Sequence, residues 1–375
     1  MEQNAFPGML LRMLRLQRDW SQETLCSGIC AVSYLSKIEQ GRVEPNEALL
    51  RDLFAKLDVA WQTVPEEEGA KICADLYDVI FSDDARELER VREEGLLRQD
   101  GFSMGVHYLD YLVIRAYCCQ ERDLIPVQLQ PQLNNHQKCL LLLLEDKARQ
   151  AYRCCPCALT AKAAGAQAYG EGNYAEALEL LQSAYDLACR DGFVYLMLDC
   201  QVFLANCYSD LRDIPNMQAH SKIAKRLANT LGEEEFARTI DYNIASTQME
   251  CGAFAEAYPF FSALPKPSVL ELHKLAICCE QLGKPEEALS ALDAAAPMAK
   301  TQGEKQMCSL VRYRLSNPDY LKRPEYGKLL LETFDLLRRE YPLGYAKFHL
   351  PWVEEWCTAN RQYRLAYEIM RDFLR

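Results

Sequence analysis

The chain has 375 residues, 49% of them apolar and 26% charged, a composition of folded globular proteins and a length beyond one small domain. Its net charge of −12 disfavours broad, non-specific binding to nucleic acid. No apolar run is long enough to cross a bilayer, since the five leucines at 140–144 sit between Lys138 and Glu145, and the Met-Glu-Gln start lacks the order of a secretory signal; a cytoplasmic protein with no membrane partner is expected. In chain order, residues 7–18 read as a first helix: Met9, Leu10, Met13, Leu14 and Leu16 recur at helical spacing, with Arg12, Arg15 and Arg18 on the other side. Ser21 is a good N-cap for a short second helix opened by Gln22 and Glu23, whose first amides suit a DNA phosphate. Gly28 and Ile29 read as a tight turn. A third helix over 31–40 puts Leu35 and Ile38 inward and leaves Ala31, Val32, Ser33, Tyr34 and Lys37 for the major groove, with Gly41 as its stop. A fourth, over 47–57, closes the core with Leu49, Leu50, Leu53, Phe54 and Leu57.

These residues resemble a known group. SQETLCSGIC, followed by SYLSKIEQG and a proline before the next helix, is similar to the Cro/repressor-type (XRE, lambda-repressor-like) helix-turn-helix. The GIC in its turn resembles the Rgg/PlcR-like (RRNPP-type) quorum-sensing transcription regulators, in which this domain is joined to TPR-like repeats that bind a short secreted peptide. The resemblance implies that Arg15 and Glu39 form a structural ion pair, that Gln22 contacts a phosphate, and that Ser33 and Lys37 meet DNA. At Val32 the chain departs from the family, where a polar base reader is more usual, so a thymine methyl is the expected contact there.

Residues 1–62 carry seven Lys or Arg against eight Asp or Glu, so what matters is local placement: Arg12, Arg15, Arg18, Lys37 and Arg42 are expected near the DNA face. So weak a head gains affinity by pairing across two half-sites of double-stranded DNA, and a homodimer is expected. TVPEEEG at 63–69 breaks the periodicity and reads as a linker. The remainder, 70–375, belongs to the acidic part of the chain, which after residue 62 holds 35 basic against 46 acidic residues and suits a protein or peptide partner better than nucleic acid.

That remainder repeats. GEGNYAEALELLQSAYDLA from Gly170, DLRDIPNMQAHSKIAKRLA from Asp210, ECGAFAEAYPFFSAL from Glu250 and QLGKPEEALSALDAA from Gln281 overlay, with Gly172, Arg212, Gly252 and Gly283 equivalent. Each is a turn and the start of a B helix; A helices precede them at 159–169, 200–208, 237–249 and 270–281. Ala168, Ala177, Ala205, Ala245, Ala257 and Ala288 fall where paired helices approach closely, and NRQYRLAY from Asn360 reads as one more, degenerate turn. The expected fold is therefore all-α: a helix-turn-helix domain followed by a TPR-like α-solenoid, clearest over 159–296, whose A helices line a ligand wall. Asn206 and Asn243 stand in A helices, where Asn is a mediocre helix former, and an amide there can both donate to and accept from a peptide backbone. The resemblance assigns asparagines in similar contexts that clamping role; Gln201, Tyr208, Tyr242 and Gln248 are candidate neighbours. The alternative is a local role for each Asn at a helix end or between helices.

The 17 cysteines include Cys154, Cys155 and Cys157 in RCCPC and the pairs Cys118-Cys119 and Cys278-Cys279, yet none has a partner pair at zinc-finger spacing, and His107, His136, His220, His273 and His349 form no metal motif. No metal or other cofactor is expected, and no nucleotide loop or hydrolase motif suggests an enzyme. The leading reading is a DNA-binding regulator controlled by a short linear peptide. Two others stay open: a regulator whose repeats dock a protein, and an adaptor that does not bind DNA.

Overall fold

A computed structural model describes residues 6–61, 64–94 and 105–373. All regular structure among the described residues is helical, and the chain divides into two compact units, Met1–Gly232 and Glu233–Arg375. No helix among the described residues is long and apolar enough to cross a membrane.

The first unit begins with a four-helix head: α1 (Phe6–Gln17), α2 (Gln22–Cys26), α3 (Val32–Glu39) and α4 (Glu47–Lys56). Local chemistry fixes the ends. Ser21 Oγ accepts from the Thr24 amide at 3.0 Å and Asn46 Oδ1 from the Leu49 amide at 2.8 Å, satisfying amides that a helix start leaves unpaired. Gly41, at φ +65°, ends α3 by donating to the Ile38 carbonyl at 2.9 Å. Leu10, Leu11, Leu25, Leu35, Ile38, Leu53 and Phe54 fill the core, and Trp61 stacks on Phe54 with ring centroids 4.3 Å apart. Leu16 is 53% exposed, contrary to its expected inward place. Two residues beyond Leu14, it lies about 200° around the helix from that buried side chain. Gly8 sets how closely α1 meets α3, because a Cβ there would lie 1.9 Å from the Ile38 carbonyl oxygen.

The helix α5 (Glu66–Ser82) starts inside the segment expected as a linker, so positions 66–69 are its first turn. Pro65 precedes it, and Glu66, Glu67 and Glu68 sit where the helix dipole favours acids. The rest of this unit comprises α6 (Ala85–Glu94), α7 (Tyr108–Cys119), α8 (Asn135–Leu144), α9 (Ala148–Cys154), α10 (Ala158–Gly170), α11 (Tyr174–Asp191), α12 (Val194–Asp210) and α13 (Ile214–Leu231). Helices α10 to α13 are two antiparallel pairs, and the A helices α10 and α12 also touch. Lys162 on α10 pins this stack by bridging Asp83 at 2.7 Å and Asp199 at 2.9 Å.

The second unit continues the pattern with α14 (Glu234–Glu250), α15 (Phe254–Ser262), α16 (Val269–Gln281), α17 (Pro285–Ala295), α18 (Gln302–Ser316), α19 (Pro324–Glu340), α20 (Leu343–Ala359) and α21 (Tyr363–Phe373). The alanines expected at close approaches, Ala168, Ala177, Ala205, Ala245, Ala257 and Ala288, are all buried.

One turn recurs between paired helices. Gly172, Arg212, Gly252, Gly283 and Arg361 all have φ between +57° and +77°. At each, the residue's own amide donates three residues back and the next amide five back, as in Gly172 to Tyr169 and Asn173 to Ala168, or Arg361 to Thr358 and Gln362 to Cys357. Two of the five positions are arginine, which the left-handed region disfavours by about 1–2 kcal/mol. Arg212→Gly should therefore stabilise the protein and Gly252→Ala destabilise it, each by on the order of 1 kcal/mol. Thermal melts of the two variants, which should shift in opposite directions, check this.

Candidate functional site

In the head, Arg15, Glu39 and Gln22 come together beneath α3. Arg15 Nε donates to Glu39 Oε1 at 2.7 Å and its Nη2 to Oε2 at 2.8 Å, with the two side chains only 8% and 3% exposed. Arg15 Nη1 also donates to the Trp20 carbonyl at 2.6 Å, and Gln22 Nε2 to Glu39 Oε2 at 2.8 Å. The Glu39 carboxylate thus ties α1, α2 and α3, and Arg15 adds the loop after α1. One amide hydrogen of Gln22 is committed here and the other stays available for a phosphate.

Above that tie, Ala31, Val32, Ser33 and Lys37 are exposed along one side of α3, Tyr34 is half-buried, and Arg42 is exposed just past the helix end. Of the five cations expected near the DNA face, two have partners within the head. Arg15 turns inward, and Arg18 Nη2 donates to the Leu57 carbonyl, where the end of α4 leaves acceptors for a guanidinium. Arg12, Lys37 and Arg42 remain exposed, with no ion pair among the described residues.

In the first unit's repeats, Asn206 is half-buried on α12 between buried Ala205 and Cys207, one turn before the helix ends, and its amide makes no hydrogen bond among the described residues. Gln201 differs from its expected role. It is buried, and its Oε1 accepts from His220 Nδ1 at 2.8 Å, while His220 stacks on Tyr208 at 5.3 Å. Burial lowers the pKa of His220, favouring the neutral ring, and this hydrogen bond places that ring's proton on Nδ1. Gln201 therefore holds its neighbours in place and presents no free face.

In the second unit, Asn243 is half-buried in the middle of α14, again with no side-chain hydrogen bond among the described residues, and Gln248 is half-buried on the same helix. Tyr242 leads to groups that the sequence pattern did not single out. Lys274 on α16 puts its ammonium 4.6 Å from the Tyr242 ring centre and 5.1 Å from that of Phe348, and donates to Ser246 Oγ at 2.6 Å. No carboxylate of the described residues is within ion-pair distance of it, and burial lowers its pKa to about 8. Beside it, His273 and His349 are buried with ring centres 5.6 Å apart, and burial lowers His349 to about 4. Arg314 on α18 pairs with Glu280 at 2.8 Å and lies 4.3 Å from the Trp352 ring centre. A histidine-lysine pair inside the apolar stretch VLELHKLAICC was the signal available in the sequence.

Two outcomes follow. Glu39→Ala, which strands Arg15, should cost about 3–5 kcal/mol of head stability in urea unfolding, whereas Lys37→Ala should cost almost none. Lys274→Met should stabilise the protein by on the order of 1–3 kcal/mol at pH 7. Because the folded value of about 8 lies below the ordinary 10.5, wild type regains stability as pH rises through that interval, and the advantage of the variant in thermal melts should shrink there.

Residues 11–63 match the helix-turn-helix family model. No curated protein matches the chain. Among solved structures, the chain is similar to the crystal structure of Bacillus thuringiensis PlcR in complex with the peptide PapR7 and DNA, at 14% identity and a TM-score of 0.28, over 76% of this chain and 98% of that one.

Proposed function

We propose that this chain, whose residues 11–63 match the helix-turn-helix family model, is a cytoplasmic transcription regulator that reads double-stranded DNA with α3 and is controlled by a short linear peptide bound to its repeats. The observation that carries the DNA reading is the exposed side of α3, held from beneath by Glu39. In this reading the head is residues 1–62, Val32 meets a thymine methyl, Ser33 and Lys37 meet DNA in the major groove with Ala31 and Tyr34 beside them, and Gln22 and Arg42 hold phosphates. Three exposed cations without a partner among the described residues give one head little affinity, so two copies acting on two half-sites are proposed.

Support for the peptide comes from Asn206 and Asn243. Each is a half-buried amide inside an A helix, Asn206 in the last turn of α12 and Asn243 in the middle of α14, whose hydrogen-bonding capacity is unused among the described residues. An amide so placed serves a ligand backbone. Tyr208, Tyr242 and Gln248 are proposed to flank the two asparagines. The peptide acts through its different affinity for two arrangements of the protein, with a coupling of about 1–3 kcal/mol, or roughly 5- to 150-fold in DNA affinity.

The experiment measures DNA affinity with and without a pool of random short peptides, for wild type, Asn206→Ala, Asn243→Ala and the double variant. The reading expects a peptide effect in wild type, weaker in each single variant and absent in the double, with basal DNA affinity unchanged. An undiminished effect in the double variant would remove these residues from the site. DNA binding that ignores peptides altogether would favour repeats that dock a protein.

A further inference from the structure

Cys73, His107 and Asp110 belong to the first unit and are none of the residues assigned to DNA or peptide above. Cys73 is on α5, His107 is the N-cap of α7 and Asp110 is in the first turn of α7. One ligand atom from each lies within 4.8 Å of the others, with Cys73 buried and the other two half-buried.

The surroundings orient two of these groups. His107 Nε2 is 3.2 Å from the Glu66 carbonyl oxygen, which can only accept, so that nitrogen carries the proton. In the neutral ring Nδ1 then offers its lone pair toward Asp110 Oδ2, 3.6 Å away, beyond a hydrogen bond. Asp110 Oδ1 already accepts from Tyr77 Oη at 2.8 Å and from Gln137 Nε2 at 2.6 Å, which leaves Oδ2 facing the imidazole. Gly69 allows the ring to sit against α5, since a Cβ there would lie 2.7 Å from His107 Cδ2. With the ring neutral, an imidazole lone pair, a carboxylate oxygen and a sulfur converge, and two electron-rich atoms face each other unless a metal ion or a proton lies between them. Histidine held by a backbone carbonyl and carboxylate held by a phenol and an amide are the outer supports that metal ligands characteristically have.

We propose that Cys73, His107 and Asp110 bind a zinc ion that joins α5 to α7. Sulfur, nitrogen and oxygen donors suit zinc in a tetrahedral arrangement, and three protein ligands leave a fourth position for water. Binding forms the zinc–sulfur bond as the thiol releases its proton to solvent. The ligands stand on two helices far apart in the chain, so no compact motif marks them in the sequence.

The test uses the full chain, freed of metal by a chelator and kept reduced by a phosphine, titrated with cobalt(II) and then with zinc. One equivalent of cobalt should produce a thiolate-to-metal charge-transfer band that zinc abolishes. Cys73→Ser should lose the band, whereas Cys154→Ser and Cys157→Ser should keep it. Tyr77→Phe should weaken zinc binding by about 10- to 100-fold. If Cys73→Ser does not fold, Asp110→Asn asks the same question through zinc affinity. A folded wild type that binds no cobalt, which would leave a protonated imidazole beside a carboxylate, overturns the proposal. So does a band indifferent to Cys73, or wild-type zinc affinity in Asp110→Asn.

Discussion

The ion pair between Arg15 and Glu39 is the constraint on which the reading head depends. Burying two charges is costly, and the pair is tolerable only because nearly every donor and acceptor around it is used: two hydrogen bonds between the partners, one to the Trp20 carbonyl and one from Gln22. What it contributes is register. Glu39 is the last residue of α3 and Arg15 stands in the last turn of α1, so the pair sets where the outer side of α3 points. Gly8 acts at the other end of α1, where only a missing Cβ lets the backbone rest on the Ile38 carbonyl. Ion pair and glycine contact together leave α3 little freedom to roll, and exposed Ser33 and Lys37 inherit that rigidity.

A comparable economy governs the repeats. Five helix pairs reverse the chain through a residue in the left-handed region, glycine in three and arginine in two, with the same two backbone hydrogen bonds, and alanines let paired helices close on each other. Packing of this kind needs few polar groups on the A helices. Polar side chains there need their own account, whether through internal partners, as for Gln201 with His220, or through unused capacity, as for Asn206 and Asn243.

What was legible in the sequence were features fixed within a few residues. Ser21 and Gly41 mark helix ends because caps act locally, and Gly172, Gly252 and Gly283 mark turns because the left-handed region selects glycine. Arg212 could be aligned with them only through the repeat. The all-helical class and the helix-turn-helix of the head followed from such signals. What was not legible depends on partners far along the chain. Arg18 reads as part of a basic face until Leu57 takes it, and Leu16 falls on the side of α1 opposite Leu14. Cys73 with Asp110, and Lys274 with Ser246 and Phe348, meet only once helices have stacked. For Asn206 and Asn243 the sequence supplied the residues and their helices, while their burial and unused hydrogen-bonding capacity are set by neighbouring helices that meet only in the folded chain.

The central claim is that α3 reads DNA as part of a paired molecule. Selection of duplexes from a random pool by the full-length protein, followed by binding to the selected duplex over a range of salt concentrations, tests it most directly. The account predicts a sequence with two half-sites about one helical turn apart, or a multiple of that, with affinity lost in Lys37→Ala. A folded protein that enriches no sequence, with and without a pool of random short peptides, would contradict it.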